Sequence, residues 1–298
     1  MLVSEVLQNK PSLLQSNEYG GVYQSLIANG IKELSIEHQN CHARLSLYGG
    51  HVLNWQPNAH QEVFWLSKTA EFKTGKAIRG GIPICWPWFG PYKDAGNHGF
   101  ARTSDWALDK LLITKSSVEI TISLEGQQLT KQWPYSFKVT QVLTFGDTFK
   151  QQFIVENRSE ESFSFSNALH SYFNVSHPQN VTVPGLNTAH YDDKISQLGN
   201  CKAQEFFDCV GPIDKIYHHN SSVTLLDKGL NRAIEINKSN CAQWVLWNPG
   251  AEIASKMADI HLGGENEYVC LEAANTNWVA VAARQTISLS QEIRTYKL

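Results

Sequence analysis

The stretch 117–156 decides the fold. It reads Ser117-Val-Glu-Ile-Thr-Ile-Ser-Leu124, Phe137-Lys-Val-Thr-Gln-Val-Leu-Thr-Phe145, the turn pair Gly146-Asp147, and Phe149-Lys-Gln-Gln-Phe-Ile-Val-Glu156. Apolar residues recur at every second position over most of each run, the period of a strand with one face buried. The same alternation returns in Glu33–His38, Ala43–Leu47, Ser162–Ser166, Arg232–Ile236 and Val279–Leu289. Gly49-Gly50, Pro184-Gly185 and Pro249-Gly250 supply turn signals between such runs. Only Val3–Gln15 and Ala251–Met257 have helical spacing. No linker, charge run or internal repeat divides the 298 residues. The expectation is therefore an all-β chain, residues 1–298 forming a single domain, built as a large antiparallel β-sandwich with few short helices.

Composition narrows the function. A net charge of −3 provides no basic field to hold a polyanion, so nucleic acid is excluded as a partner. Nine Trp, ten Tyr and thirteen Phe are enough to pack a core and to leave flat faces for stacking on a sugar. Cys41, Cys85, Cys201, Cys209, Cys241 and Cys270 show neither zinc spacing nor a disulfide framework, so they read as reduced, mostly buried thiols. Glu5, Asn9 and Lys10 interrupt the first apolar residues, and no run is long enough to span a bilayer. No membrane partner and a cytoplasmic location follow as expectations. The N-x-S/T triplets at Asn157, Asn174, Asn180 and Asn220 then read as chance matches.

Two segments break the strand rhythm: 79–102, dense in Gly, Pro and Trp, and the polar stretch 185–220. In Arg79-Gly-Gly-Ile-Pro-Ile-Cys-Trp-Pro-Trp-Phe-Gly90, the residues Trp86, Trp88 and Phe89 read as core residues of a capping loop. Arg79, beside two glycines, can present its donor fork to an anion. Asn97-His98-Gly-Phe-Ala-Arg102 adds a second cation, and the two arginines form an anion clamp if the loop folds back; alone, an arginine in a loop is more often a surface ion pair. If the alternation of Phe163–Ser166 persists, His170 shares a face with Ser166 and Ala168 while Phe163 and Phe165 point the other way. An isolated histidine is usually a satisfied core residue. Glu272 is more telling, because a carboxylate inside the apolar run Tyr268–Asn275 is costly to bury without a task. Asp214 by itself reads as a turn residue, and His218-His219 lacks partners at metal spacing.

In order, the motifs RGGIPICWPWFG, HGFAR, ALHSYFNV, DKIY, WNPG and CLEAAN resemble the series found in the glucose-6-phosphate 1-epimerases, also called hexose-6-phosphate mutarotases. That family lies in the aldose 1-epimerase superfamily, whose galactose mutarotase-like fold is a large antiparallel β-sandwich (a supersandwich). The resemblance implies His170 as general acid and Glu272 as general base. It implies Arg79 and Arg102 as ligands of substrate oxygens including phosphate, Asp214 as a ligand of sugar hydroxyls, and Asn97 and His98 at the substrate. Asn97 stands where the family usually has Gln, the same amide on a shorter stem. Ring opening of a hemiacetal needs one acid and one base, so no metal or organic cofactor is expected. A sugar phosphate substrate and a monomeric chain complete the expectation. Two alternatives stay open: a 1-epimerase of neutral aldoses, and a non-catalytic carbohydrate-binding protein of the same fold.

Overall fold

The structure, a computed structural model, describes residues 10–202 and 208–298. Its strands form three antiparallel sheets. The first runs in chain order through Ser12–Asn17, Gly20–Leu26, Lys32–His38, Cys41–Ser46 and His51–Pro57. The second is built around Ser117–Gln127, Ser136–Gly146 and Thr148–Asn157, in register from Ser117↔Gly146 and from Phe149↔Phe145. Ala107–Ile113 closes one edge, and Thr286–Lys297, Arg232–Ser239, Val223–Asp227 and Val181–Thr182 extend the other. In the third sheet, Ile213–Tyr217, Gln243–Asn248, Tyr268–Val281, Phe163–Leu169 and Ile84–Cys85 lie side by side, and Tyr172–Asn174 pairs onto Tyr268–Val281.

The alternation read from 117–156 is the burial pattern observed. Val118, Ile120, Ile122, Val139, Leu143, Phe145, Phe149, Phe153 and Val155 enter one apolar core with Leu34 and Trp55 of the first sheet and Phe165, Leu246 and Leu271 of the third. Each such side chain contributes about 1.5–3 kcal/mol on full burial. Gln141 and Gln151 occupy apolar positions of the pattern and are fully buried. Their amides are satisfied in a chain. Gln141 donates to the Gly50 carbonyl (2.7 Å), Gln151 to Gln141 (2.7 Å), and Gln291 to Gln151 (2.8 Å) and to the Ser171 hydroxyl (3.1 Å). This polar seam ends beside His170, so it ties the second sheet to the third at the site.

Local expectations fail where pairing overrides pattern. Residues 3–9 of the helix expected over Val3–Gln15 lie outside the described residues. Ser12–Asn17 is a strand instead, because Gly20–Leu26 supplies its backbone with antiparallel partners. Val279–Leu289 is two strands, divided by a turn at 282–285 in which Gln285 N–H donates to the Ala282 carbonyl (3.1 Å). Ala251–Met257 shrinks to the single turn Gly250–Ala254. The polar stretch 185–220 contains the strands His190–Asp193, Leu198–Lys202 and Ile213–Tyr217. Leu198–Lys202 is mostly exposed and so shows no one-sided alternation. Gln243–Asn248 is buried almost throughout, and it shows none either.

Candidate active site

The third sheet sets the central pair by register. Leu169 pairs with Ala273, and Tyr172 pairs with Cys270. His170 therefore falls opposite Glu272, at the point where its own strand interrupts its ladder. His170 Nδ1 lies 3.3 Å from Glu272 Oε1. His170 stacks on Tyr172 with ring centroids 4.8 Å apart, and its backbone N–H donates to the Pro83 carbonyl (3.1 Å). The face expected for it is the face observed. Phe163, Phe165 and Leu169 enter the main core, whereas Ala168 packs with Cys85, Val245 and Ala274 on the side that opens to the cleft.

That cleft, about 260 Å³, is lined by Arg79, Phe89, Asn97, His98, Arg102, His170, Asp214, Val245, Trp247, Met257 and Glu272. All seven residues singled out from the sequence, drawn from positions 79 to 272, meet there. Phe89 departs from its core expectation: Trp86 and Trp88 are buried, but Phe89 is half-buried and forms cleft wall. Val245, Trp247 and Met257 had no signal of their own, although Trp247 belongs to the WNPG motif. Asp214 enters because Ile213–Tyr217 pairs with Gln243–Asn248, which sets Asp214 against Trp247 in the strand ladder. A strand residue rather than a turn residue, it is half-buried, and its carboxyl is pushed up by that burial.

The loop 86–102 is folded by close backbone approach. Gly99 has φ +67, and a Cβ there would stand 1.9 Å from the Trp86 carbonyl oxygen, so only glycine fits. That carbonyl accepts from the N–H groups of Phe100 (3.0 Å) and Ala101 (3.1 Å), which starts the short turn Ala101–Thr103 bearing Arg102. His98, itself at φ +65, is held twice by Gly90: its N–H donates to the Gly90 carbonyl (2.8 Å), and the Gly90 N–H donates to its Nδ1 (3.2 Å). The ring proton is therefore on Nε2, and the imidazole is neutral, since burial and the charges of Arg102 and Arg79 push it down to about 3.

The two central groups shift in opposite directions. Burial first, then His98, Arg102 and Arg79, hold His170 well below the usual imidazole range. Burial first, then Asp214, holds Glu272 well above the usual carboxylate range, and Glu272 Oε2 is buried without a hydrogen-bond partner. Burial thus favours the neutral form of both groups, the protonated carboxyl and the uncharged imidazole.

The arginines differ. Arg79 donates from Nε to Asp259 Oδ2 (3.0 Å) and from Nη1 to the Tyr172 hydroxyl (2.8 Å). Arg102 donates from Nη2 to the Asn97 carbonyl (3.0 Å), and its Nε is buried with no partner. Neither Asp259 nor Tyr172 was legible as a site residue. Outside the cleft, His218 bonds Asp192 (3.0 Å), and the six cysteines are free thiols. Among the described residues no cluster of three or more His, Cys, Asp or Glu side chains is placed to hold a metal. No helix among them is long and apolar enough to cross a membrane.

His51 lies behind the RGG segment and makes stability depend on pH. Its Nε2 donates to the Gly80 carbonyl (2.7 Å), and its Nδ1 is buried without a partner. Burial, aided by the Arg102 charge, pushes it down to about 4 from 6.5. Between those values the unfolded chain binds a proton that the folded chain refuses. The contribution is complete above pH 6.5 and is lost as pH falls toward 4, in all about 3 kcal/mol. Urea unfolding at stepped pH is expected to show wild type losing that much more than His51→Gln between pH 7 and 4. Parallel curves for the two proteins would remove His51 as the cause.

The chain belongs to the aldose 1-epimerase family: the model described as Aldose 1-epimerase matches residues 32–294. It is accordingly an isomerase of the epimerase class that acts on sugars. A Salmonella typhimurium protein named "Putative glucose-6-phosphate 1-epimerase" is 35% identical over 245 residues, 80% of this chain and 81% of that one. An Escherichia coli protein of the same name is 33% identical over 271 residues, 88% and 90% of the two chains. Among solved structures, a Salmonella typhimurium protein described as a "putative mutarotase" superimposes with a TM-score of 0.87 at 30% identity, covering 97% of each chain.

Proposed function

We propose that this chain is a cofactor-independent mutarotase that interconverts the α and β anomers of glucose 6-phosphate or a related aldohexose 6-phosphate. The observation behind this reading is that His170 and Glu272, 3.3 Å apart, meet in a cleft that is also lined by Arg102, a guanidinium with no carboxylate partner among the described residues. The relatives named for glucose 6-phosphate support the choice of sugar.

His170 is the general acid and Glu272 the general base. Transfer of one proton from the Glu272 carboxyl to His170, 3.3 Å away, yields imidazolium beside carboxylate, the pair that a hemiacetal needs. Glu272 takes the proton of the anomeric hydroxyl as His170 gives one to the ring oxygen. The bond from C1 to the ring oxygen breaks, and C1 becomes an aldehyde. Rotation about the C1–C2 bond presents the opposite carbonyl face, and the reverse transfers close the ring as the other anomer. The pair ends with the protons it began with. The Nε2–H of His98 and the amide of Asn97 supply donors to substrate oxygens, Asp214 accepts from sugar hydroxyls, and Trp247 and Phe89 offer flat faces to the ring C–H bonds. The chain does this as one domain, as a monomer and in the cytoplasm.

The test adds the protein to freshly dissolved pure α-glucose 6-phosphate and follows the anomeric proton signals by NMR. Relaxation to the equilibrium mixture is expected to accelerate in proportion to enzyme concentration, and more than for glucose. Relaxation at the spontaneous rate sinks the reading, and equal acceleration of both sugars moves it to neutral aldoses.

A further inference from the structure

We propose that Asp259 divides the two cleft arginines between two tasks: it neutralises Arg79, which then serves sugar hydroxyls, and so leaves Arg102 to receive the anionic group of the substrate. This rests on the phosphate reading above and assigns its specificity to one carboxylate.

Arg79 is already committed. Its Nε meets Asp259 Oδ2 at 3.0 Å, and both side chains are mostly buried, 23% and 22% exposed, so solvent screens the pair little. Nη1 is held at 2.8 Å by the hydroxyl of Tyr172, the residue on which His170 stacks. A phosphate brought to this guanidinium would meet the Asp259 charge at close range, and pulling Arg79 away would leave that carboxylate unpaired. A hydroxyl, uncharged and able to accept, meets no such opposition.

Arg102 is in the opposite state. Among the described residues no carboxylate lies within ion-pair distance of it, and its one side-chain bond goes to a neutral backbone carbonyl at 3.0 Å. Its Nε is buried with no partner, although buried donors are almost always satisfied. The backbone next to it is anchored on both sides: the Ala101 N–H bonds the Trp86 carbonyl (3.1 Å), and the Ala101 carbonyl accepts from the Trp106 indole (3.0 Å). An unpaired fork on the cleft wall suits an anion with several acceptor oxygens. Asp259 is thus a positioning residue that acts through Arg79.

The experiment compares kcat/KM for glucose 6-phosphate with that for glucose, as a ratio, and measures inhibition of glucose turnover by inorganic phosphate. Arg102→Gln is expected to lower the ratio and weaken phosphate inhibition, each roughly 10- to 100-fold. Arg79→Gln is expected to slow both sugars together and leave the ratio within about twofold, because the hydroxyl it serves is present in both substrates. Asp259→Asn keeps an acceptor for Arg79 but releases its charge, and is expected to raise phosphate affinity about three- to tenfold. Asp259→Glu should restore wild-type behaviour. If Arg79→Gln does not fold because Asp259 is stranded, Arg79→Lys keeps a cation beside it and reads the same ratio.

A ratio that falls as far in the Arg79 variants as in Arg102→Gln overturns the division of tasks. So does phosphate affinity that Asp259→Asn leaves unchanged. A wild-type ratio near one overturns the phosphate reading itself and the division with it.

Discussion

Replacing His170 by alanine, or Glu272 by glutamine, is expected to lower kcat by about 10²- to 10⁴-fold while leaving the β-sandwich intact. Each protein would lose one of two proton transfers that occur in the same ring-opening step. The register on either side of His170 sets it opposite Glu272, so the two groups are held together by the sheet itself. Glutamine at 272 retains the shape of the carboxyl and can neither take nor release the proton. The wild-type pH profile of kcat/KM should be a bell. On the acid side the pair takes up a second proton and loses its base; on the alkaline side it loses its one proton and has no acid. Burial pushes Glu272 up and His170 down, which widens the plateau between the two limbs. Saturation kinetics by polarimetry, with circular dichroism to verify folding, decides this. Turnover within about tenfold of wild type in either variant removes that residue from the proton transfers.

Trp86→Ala should cost about 3–5 kcal/mol of stability, the second large effect. Trp86 is fully buried, with ring centroids 4.8 Å from Phe137, 5.0 Å from Trp133 and 5.6 Å from Phe100. Trp133 and Phe137 come from one stretch and Phe100 from the site loop, and rings packed on one another in this way cannot all collapse into the space. The cavity would open directly beneath the turn that holds Arg102, so KM for the phosphorylated sugar should rise as well. Trp86→Phe should cost less, because it keeps a ring and removes an indole N–H that has no acceptor. The comparison is made by urea unfolding with fixed m-values. A loss below about 1 kcal/mol for the alanine variant would show that the aromatic cluster repacks rather than supports the loop.

Alternation along 117–156 was sufficient to determine an antiparallel β-sheet, because a strand with one face in a core cannot shift its register without exposing every apolar side chain. The separate alternation of Phe163–Ser166 determined which way His170 points, since Ser166, Ala168 and His170 lie on the face opposite Phe163 and Phe165 with a period of two. The cost of a carboxylate in an apolar run marked Glu272 before any partner was known. Glycines, prolines and aromatics marked 79–102 as a shaped loop. None of these signals states a distance. That His170 meets Glu272, and that Asp214 and Trp247 join them, followed only from how four distant strands pair, and pairing depends on the whole core. Asp259 left no trace, because an aspartate in a polar segment resembles any surface carboxylate until Arg79, 180 residues earlier, is folded against it. Local pattern reports which face of an element is buried, whereas the identity of the neighbour on that face is a long-range fact. The acid and base candidates were therefore legible one at a time, and the charge balance of the two arginines was decided by tertiary structure alone.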